Sequence, residues 1–189
     1  MKYNELIDLL LDNNIYDRLK ENEAEVFSLI PELEKCKGFD QKNSWHVYDV
    51  YEHILHVVAG VDATLPLRIT ALFHDTGKPS AFTLDDNGVG HFYGHWDYSV
   101  EIFKKHSPAL GLSDKDIDLI TYLIFYHDVN LDKMDEAQIS EMINKIGYEN
   151  IPLLFKIKRA DLLAQSEVYH YNLSKINEQE KRLLDFYRI

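Results

Sequence analysis

Apolar residues recur at steps of three and four positions along most of the 189-residue chain. This spacing is typical of amphipathic helices, so the sequence predicts an all-α fold. Local signals agree: Ser113 precedes a polar first turn, Pro152 suits a first turn, and Gly77 ends a short helix. The predicted helices cover residues 3–13, 16–35, 47–61, 66–76, 95–107, 113–127, 135–147, 151–170 and 174–187.

One segment departs from the helical pattern. In SAFTLDDNGVGHFYGH, an Asp-Asn-Gly tract separates two short runs of aromatic and β-branched residues. Such tracts are typical of tight hairpin turns. We therefore predict a small β-hairpin near residues 80–93, inserted in a single domain that has no internal repeat.

Several histidines fall on or beside apolar helix faces. His53 lies at the edge of the stripe formed by Val50, Ile54 and Val57, where a hydrogen-bonded boundary histidine is the simpler interpretation. His74 and Asp75 end a helix that is apolar on nearly all sides. Burying an isolated charge costs several kcal/mol, so this pair needs a partner that offsets its charge. A capping interaction or an internal hydrogen-bonded pair is the alternative explanation.

Asp161 is the most informative position. It lies at the centre of one apolar face together with Leu154 and Ile157, although aspartate is seldom buried unless it is paired or bound to a metal. Salt bridges to Lys158 or Arg159 are the alternative, but both residues project to other faces. Metal ligation is therefore the better explanation.

Two further histidines complete the candidate site. His127 ends an apolar helix stripe, and His95 follows Gly94, where the backbone permits close approach. His91 falls in the predicted hairpin, and we interpret it as a loop residue. We expect His56 to face solvent.

The composition excludes several classes of function. The net charge of −12 argues against an extensive nucleic-acid surface, because nonspecific phosphate binding needs a basic face. A single cysteine, Cys36, excludes an internal disulfide and a thiolate zinc site. No apolar run approaches the roughly 20 residues that span a bilayer, and the N-terminus does not resemble a signal peptide. We expect a cytoplasmic protein without membrane contact.

The candidate side chains are four imidazoles and two carboxylates, on His53, His74, His95, His127, Asp75 and Asp161. Imidazole and carboxylate together suit manganese, iron, cobalt, nickel or zinc, with magnesium as a further option. Six ligands exceed what one metal needs if it keeps an open position. The sequence therefore predicts one or two divalent metals, with Asp75 bridging two of them, that activate water for attack on a phosphate.

The order His53, His74-Asp75, Asp161 resembles the HD-domain superfamily of metal-dependent phosphohydrolases over about residues 45–170. More narrowly, GFDQKNSWHVYDVYEHILH, HDTGKP, HFYGH and YHD resemble the HD region of bacterial CCA-adding enzymes, here expected as a free-standing relative. The resemblance implies that His53, His74, Asp75 and Asp161 hold the first metal. It implies that His95 and His127 hold a second metal and share Asp75 with the first. Asp128 stands where a further histidine would follow His127.

Lys78 follows the dyad by one turn of sequence. We expect Lys78 to hold a substrate phosphate and to serve catalysis with Asp75, the alternative being a solvated loop lysine. The resemblance also implies an HD helical bundle spanning residues 1–189. Its core lies at 45–170, with helices of segment 1–40 and helix 174–187 packed on that core.

The function expected from the resemblance is hydrolysis of a phosphate ester or anhydride by metal-activated water. Its partner would be a small phosphorylated substrate, a nucleotide or nucleotide derivative. Two alternatives stay open, namely a non-catalytic metal- and nucleotide-binding HD module and a di-iron oxygenase. The helices before residue 40, rich in Leu and Glu, either cover the core or form a homodimer contact.

Overall fold

The computed structural model describes residues 1–186 and confirms the predicted all-α fold. The helices, in chain order, are α1 Tyr3–Leu10, α2 Ile15–Glu21, α3 Glu23–Leu29, α4 Pro31–Cys36, α5 Val50–Gly60, α6 Leu65–Phe73, α7 Lys78–Ala81, α8 His95–His106, α9 Asp114–Tyr126, α10 Glu136–Ile146, α11 Ile151–Leu163 and α12 Leu173–Phe186. Short 3₁₀ turns span Ser107–Ala109, Leu131–Lys133, Tyr148–Asn150 and Glu167–Asn172.

The hairpin also forms where it was predicted. Strands β1 (Thr83–Leu84) and β2 (Gly90–His91) pair antiparallel, with Thr83 opposite His91. Asp85 closes the turn by accepting hydrogen bonds from backbone N–H groups inside it. The hairpin therefore has the Asx-type turn chemistry that its Asp-Asn-Gly tract favours.

Several predicted boundaries were wrong. The predicted helix over 16–35 is three helices, because the chain breaks at Asn22 and again at Ile30, which precedes Pro31 and has an extended φ of −129°. A residue before proline is pushed out of the helical region by steric clash. The predicted helix over 151–170 ends at Leu163 and continues as a 3₁₀ turn. Residue 187, the predicted end of the last helix, lies outside the described residues.

Helix α6 lies at the centre of the larger hydrophobic core. All its residues from Leu67 to Phe73 are buried, and the five apolar ones among them belong to one cluster with side chains of α1, α5, α8, α9 and α11. A helix that is buried on every side matches its sequence, which is apolar almost all round. A second cluster joins α9, α10, α11 and α12 through residues such as Phe155 and Leu183.

The N-terminal helices pack on this core. Leu6 and Leu10 of α1 are fully buried in the larger cluster. Glu32 of α4 contacts α8 through Lys105 Nζ at 2.6 Å and His106 Nε2 at 2.9 Å. Within residues 1–186, no helix combines the length and the apolar character needed to cross a bilayer.

Candidate metal centre

The six predicted side chains meet in one place, although five different helices supply them. His53 comes from the middle of α5, and Asp161 comes from α11. His74 and Asp75 follow the last residue of α6, His95 begins α8, and His127 follows the last residue of α9. The site therefore depends on the packing of the whole bundle around α6.

Asp75 lies at the centre of the cluster and is 1% exposed. Its Oδ2 lies 3.3 Å from Nε2 of His53 and 3.2 Å from Nε2 of His74. Its Oδ1 lies 3.2 Å from Nε2 of His95 and 3.6 Å from Nε2 of His127. In the described part of the chain, two groups are spaced to hold a metal ion, His53–His74–Asp75 and Asp75–His95–His127. One carboxylate thus belongs to both groups.

Asp161 joins the first group from the opposite side. Its Oδ1 lies 2.9 Å from Nε2 of His53, and its side chain is 15% exposed. Gln165, one turn further along, donates from Nε2 to the same oxygen at 3.4 Å. The two salt-bridge partners considered from sequence are engaged elsewhere: Lys158 donates to the carbonyls of His127 and Val129, and Arg159 contacts Glu180. This leaves His53 as the group nearest to Asp161.

Backbone carbonyls fix the orientation of the imidazoles. His74, His95 and His127 each place Nδ1 at 2.6–2.9 Å from the carbonyl oxygen three residues earlier. His53 Nδ1 lies 3.4 Å from the carbonyl oxygen of Ala164. A carbonyl only accepts hydrogen bonds, so Nδ1 must carry the hydrogen. In the neutral ring, Nε2 then carries the lone pair, and all four Nε2 atoms face Asp75.

These contacts are short, but most are not hydrogen bonds. Among the described residues, Nε2 of His53, Nε2 of His74 and both carboxylate oxygens of Asp75 are buried and make no hydrogen bond, although Oδ2 of Asp75 has the ammonium group of Lys78 at 2.7 Å. The Nε2 atoms of His95 and His127 lie 3.2 Å apart. Buried polar atoms are rarely left without a partner in proteins. A cation between these atoms would satisfy all of them at once, and imidazoles anchored through Nδ1 are typical of metal ligands.

The electrostatics follow from the same geometry. Burial raises the pKa of Asp75, but its contact with His74 and the charge of Lys78 outweigh burial and hold this pKa well below its usual range. Burial likewise opposes ionisation of Asp161, but its contact with His53 outweighs burial, so the pKa of Asp161 is lowered. Burial lowers the pKa of His127. Two carboxylates thus stay ionised in the protein interior.

Lys78 is buried, so the solvated loop lysine considered from sequence was wrong. Its side chain is 7% exposed, and its Nζ lies 2.7 Å from Oδ2 of Asp75. The same Nζ donates to Oε1 of Gln41 at 2.9 Å and lies 3.3 Å from Nε2 of His46. The lysine is therefore held against the cluster from three sides.

Sequence reasoning missed His46 and Gln41, which lie in the segment between α4 and α5. Nδ1 of His46 donates to Oδ1 of Asn43 at 2.8 Å, which leaves its Nε2 as an acceptor for Lys78. Burial, assisted by Lys78, lowers the pKa of His46 to about 3. Both residues lie within the GFDQKNSWHVYDVYEHILH segment, but neither follows a helical or strand periodicity that would have singled it out.

A cleft of about 190 Å³ opens onto the cluster. Asp75, His95, His127 and Asp161 line its floor, and the hairpin adds an aromatic wall of His91, Phe92 and Tyr93. A neighbouring cavity of about 230 Å³ shares His127, Asp128, Asp161 and Gln165 with it. A larger cavity of about 690 Å³ beside Leu131 and Arg182 lies apart from these ligand groups. We assign the chemistry to the cleft because the buried acids and imidazoles line it.

Comparisons with known proteins connect the chain to nucleotidyl-transferring enzymes. No family model matches it. The A-adding tRNA nucleotidyltransferase of Deinococcus radiodurans is 33% identical over 138 residues, covering 70% of this chain and 31% of that protein. The bifunctional uridylyltransferase/uridylyl-removing enzyme of Ruegeria pomeroyi is 29% identical over 149 residues, covering 71% of this chain and 16% of that protein. The multifunctional CCA protein of a Janthinobacterium species is 35% identical over 99 residues, covering 49% of this chain and 23% of that protein. The chain thus has enzyme homologues and matches less than a third of the length of each.

Proposed function

We propose that this protein is an HD-type metal-dependent phosphohydrolase that cleaves a phosphate ester or anhydride in a nucleotide or nucleotide derivative. In this proposal, residues 1–189 form one domain around the metal centre. The names of the relatives support a nucleotide-related substrate, since they describe a tRNA nucleotidyltransferase and an enzyme that both transfers and removes a uridylyl group. The resemblance of the HDTGKP segment to HD phosphohydrolases supports hydrolysis.

One observation carries the proposal, the shared carboxylate of Asp75. Neither of its oxygens nor the facing Nε2 atoms of His53 and His74 make a hydrogen bond among the described residues. Charged neighbours are nevertheless close, since Nζ of Lys78 lies 2.7 Å from Oδ2 of Asp75. Such a buried set of acceptors fits a cation. We assign one metal to His53, His74, Asp75 and Asp161, and a second metal to Asp75, His95 and His127. The set contains no thiolate, which favours manganese, iron, cobalt, nickel or zinc in a site open to water.

The protein's own residues prepare this site for a phosphate. A divalent metal held there lowers the pKa of bound water, and two metals offset the charge of a phosphate. Lys78 brings its ammonium group to the same cleft, and it binds a substrate oxygen by exchanging one of its contacts with Asp75, Gln41 or His46. Gln41 and the neutral His46 orient its ammonium group. The carboxylate that would hold both metals, on Asp75, is itself only 1% exposed.

The test combines a metal measurement with an activity measurement. Purified protein, supplied with manganese, cobalt or nickel, should release phosphate or a nucleoside from at least one member of a nucleotide panel. Asp75→Ala should lose bound metal, measured by elemental analysis, together with this activity. Asp118→Ala is the matched control, because Asp118 is an exposed aspartate on α9 and should keep both properties.

The outcomes separate the hydrolase from its alternatives. Metal retained without turnover of any panel member would contradict hydrolysis and support a metal- and nucleotide-binding module. Failure of the wild-type protein to retain any of the metals would contradict the metal centre itself. Equal metal content in Asp75→Ala and the wild type would show that the ion binds elsewhere.

A further inference from the structure

We propose that the hairpin carries a stacking subsite for a planar ring of the substrate, formed by Tyr93 on top of His91. This inference rests on the proposed function and names the part of the substrate that lies outside the metal centre. The ligand class is an aromatic heterocycle attached to a phosphate, as in a nucleotide.

The arrangement of the two rings supports the subsite. Tyr93 lines the cleft, yet its side chain is 78% exposed. Its ring lies nearly parallel to that of His91, with an interplanar angle of 8° and centroids 5.3 Å apart. A tyrosine with this exposure presents a large apolar surface to water at the edge of the site. Such a surface gains free energy when another flat ring covers it.

The hairpin turn holds the lower ring in place. Nε2 of His91 lies 3.3 Å from Oδ2 of Asp85. Oδ1 of Asp85 accepts hydrogen bonds from the backbone N–H groups of Asn87 and Val89, both at 2.9 Å. The imidazole is therefore tied to the turn of its own hairpin, and the ring of Tyr93 rests on a fixed support. A preorganised surface of this kind costs little entropy when a ligand covers it.

The hairpin is in turn fixed to the segment that orients Lys78. Gly90 donates its backbone N–H to the carbonyl of Lys42 at 2.8 Å. A Cβ atom at position 90 would overlap the carbonyl oxygen of Gln41, so only glycine permits this approach. Gln41 also accepts a hydrogen bond from Lys78. Between these points, the ring of Phe92 lies 5.4 Å from Nζ of Lys78. The ring stack and Lys78 are thus connected through Gly90, Gln41 and Phe92.

The size of the cleft explains why a ring would lie at its edge. Its volume of about 190 Å³ is below the roughly 300–1,000 Å³ typical of pockets that enclose a whole ligand. The cleft therefore accommodates the phosphate end next to Asp75 and Lys78. The rest of a nucleotide must lie at the opening, where Tyr93 is the exposed aromatic residue of the hairpin wall.

Calorimetric titration with two ligands tests the subsite. Adenosine 5′-monophosphate carries a ring, whereas ribose 5-phosphate carries the same phosphate without one. Both are titrated into the 189-residue protein, before and after manganese addition. The readout is the ratio of the two affinities. A loss of phosphate binding lowers both affinities equally, so it leaves this ratio unchanged. We expect Tyr93→Ala to reduce the preference for adenosine 5′-monophosphate by about fivefold or more. Tyr93→Trp should restore this preference.

Two control variants share one feature each with Tyr93. Leu84→Ala removes another exposed apolar side chain from the same hairpin, and Tyr171→Ala removes a tyrosine that is 70% exposed on a different element. Both should keep the wild-type ratio. A ratio unchanged in Tyr93→Ala, or no preference for the ring in the wild type, would overturn the subsite.

These outcomes are separate from those of the proposed function. Hydrolysis of nucleotides without any preference for the ring would support the hydrolase function and contradict the subsite. Binding of adenosine 5′-monophosphate that depends on Tyr93, without hydrolysis of any nucleotide, would support the subsite and contradict the hydrolase function.

Discussion

Removing Asp75 should abolish binding of both metals, whereas removing His95 should abolish only one. Asp75 contributes one oxygen to each ligand group, Oδ2 toward His53 and His74 and Oδ1 toward His95 and His127. Asp75→Ala therefore leaves neither group complete. His95→Ala takes a ligand from the second group and leaves the first intact. The structure thus predicts metal contents of none, one and two for Asp75→Ala, His95→Ala and the wild type.

The same difference should appear in thermal stability. A metal present at 100 times its Kd stabilises the folded state by about 2.7 kcal/mol per site. For a chain of this length, each kcal/mol raises Tm by roughly 2–4 °C, so each occupied site should add about 5–10 °C. We expect added metal to raise the Tm of the wild type by the contribution of two sites. The rise in Tm should be about half as large in His95→Ala and absent in Asp75→Ala.

The assay is a thermal melt of each variant with and without manganese, cobalt or nickel, paired with elemental analysis. Comparing each variant with itself removes any loss of stability that the substitution causes in metal-free protein. Asp118→Ala should behave as the wild type does. A full metal-induced shift in Asp75→Ala would refute the reasoning, since it would show that the ion does not need the shared carboxylate. Equal shifts in His95→Ala and the wild type would refute the second site alone.

Three further predictions concern the scaffold. Gly77→Ala should destabilise the fold by about 1–3 kcal/mol or more in denaturant melts, because the new Cβ would overlap the His95 carbonyl oxygen. Gly88→Ala should cost less, because its Cβ meets nothing within 4 Å and only the positive φ of 76° opposes the substitution. Burial opposes ionisation of Glu32, but its α8 partners lower its pKa from 4.5 to about 2, so stability should fall as pH drops between these values. Glu32→Gln should flatten that part of the stability curve, and an unchanged slope would contradict the assignment. Burial raises the pKa of the Cys36 thiol, so iodoacetamide should label it only after unfolding; rapid labelling of native protein would contradict its burial.

The helical periodicity of the sequence was sufficient to predict the fold class, and the Asp-Asn-Gly tract that interrupts it predicted the hairpin. It failed where a local interruption divides a continuous apolar pattern, as at Asn22 and Pro31, since the three short helices keep the same buried face. Pro31 itself was a visible signal, because the residue before a proline is disfavoured in a helix.

The candidate ligands could be found from sequence because they break the pattern of apolar faces. Asp161 is the clearest case, as a carboxylate on an apolar stripe demands a partner. His46 and Gln41 break no such pattern. They become relevant only through long-range contacts with Lys78, at separations of 32 and 37 residues. The burial of Lys78 depends on the same contacts, so no local pattern could have predicted it.

The anchoring of the imidazoles has a consequence for how the ion is taken up. His74, His95 and His127 are each aimed by a carbonyl three residues earlier on their own segment, so their orientation is set locally. The apoprotein therefore presents these donors already in position, and loading should proceed without a slow conformational step. His53 differs, because its anchor is Ala164, more than a hundred residues away, just after α11. Uptake at the first group should therefore respond to loosening of α11, whereas uptake at the second should be much less sensitive to it.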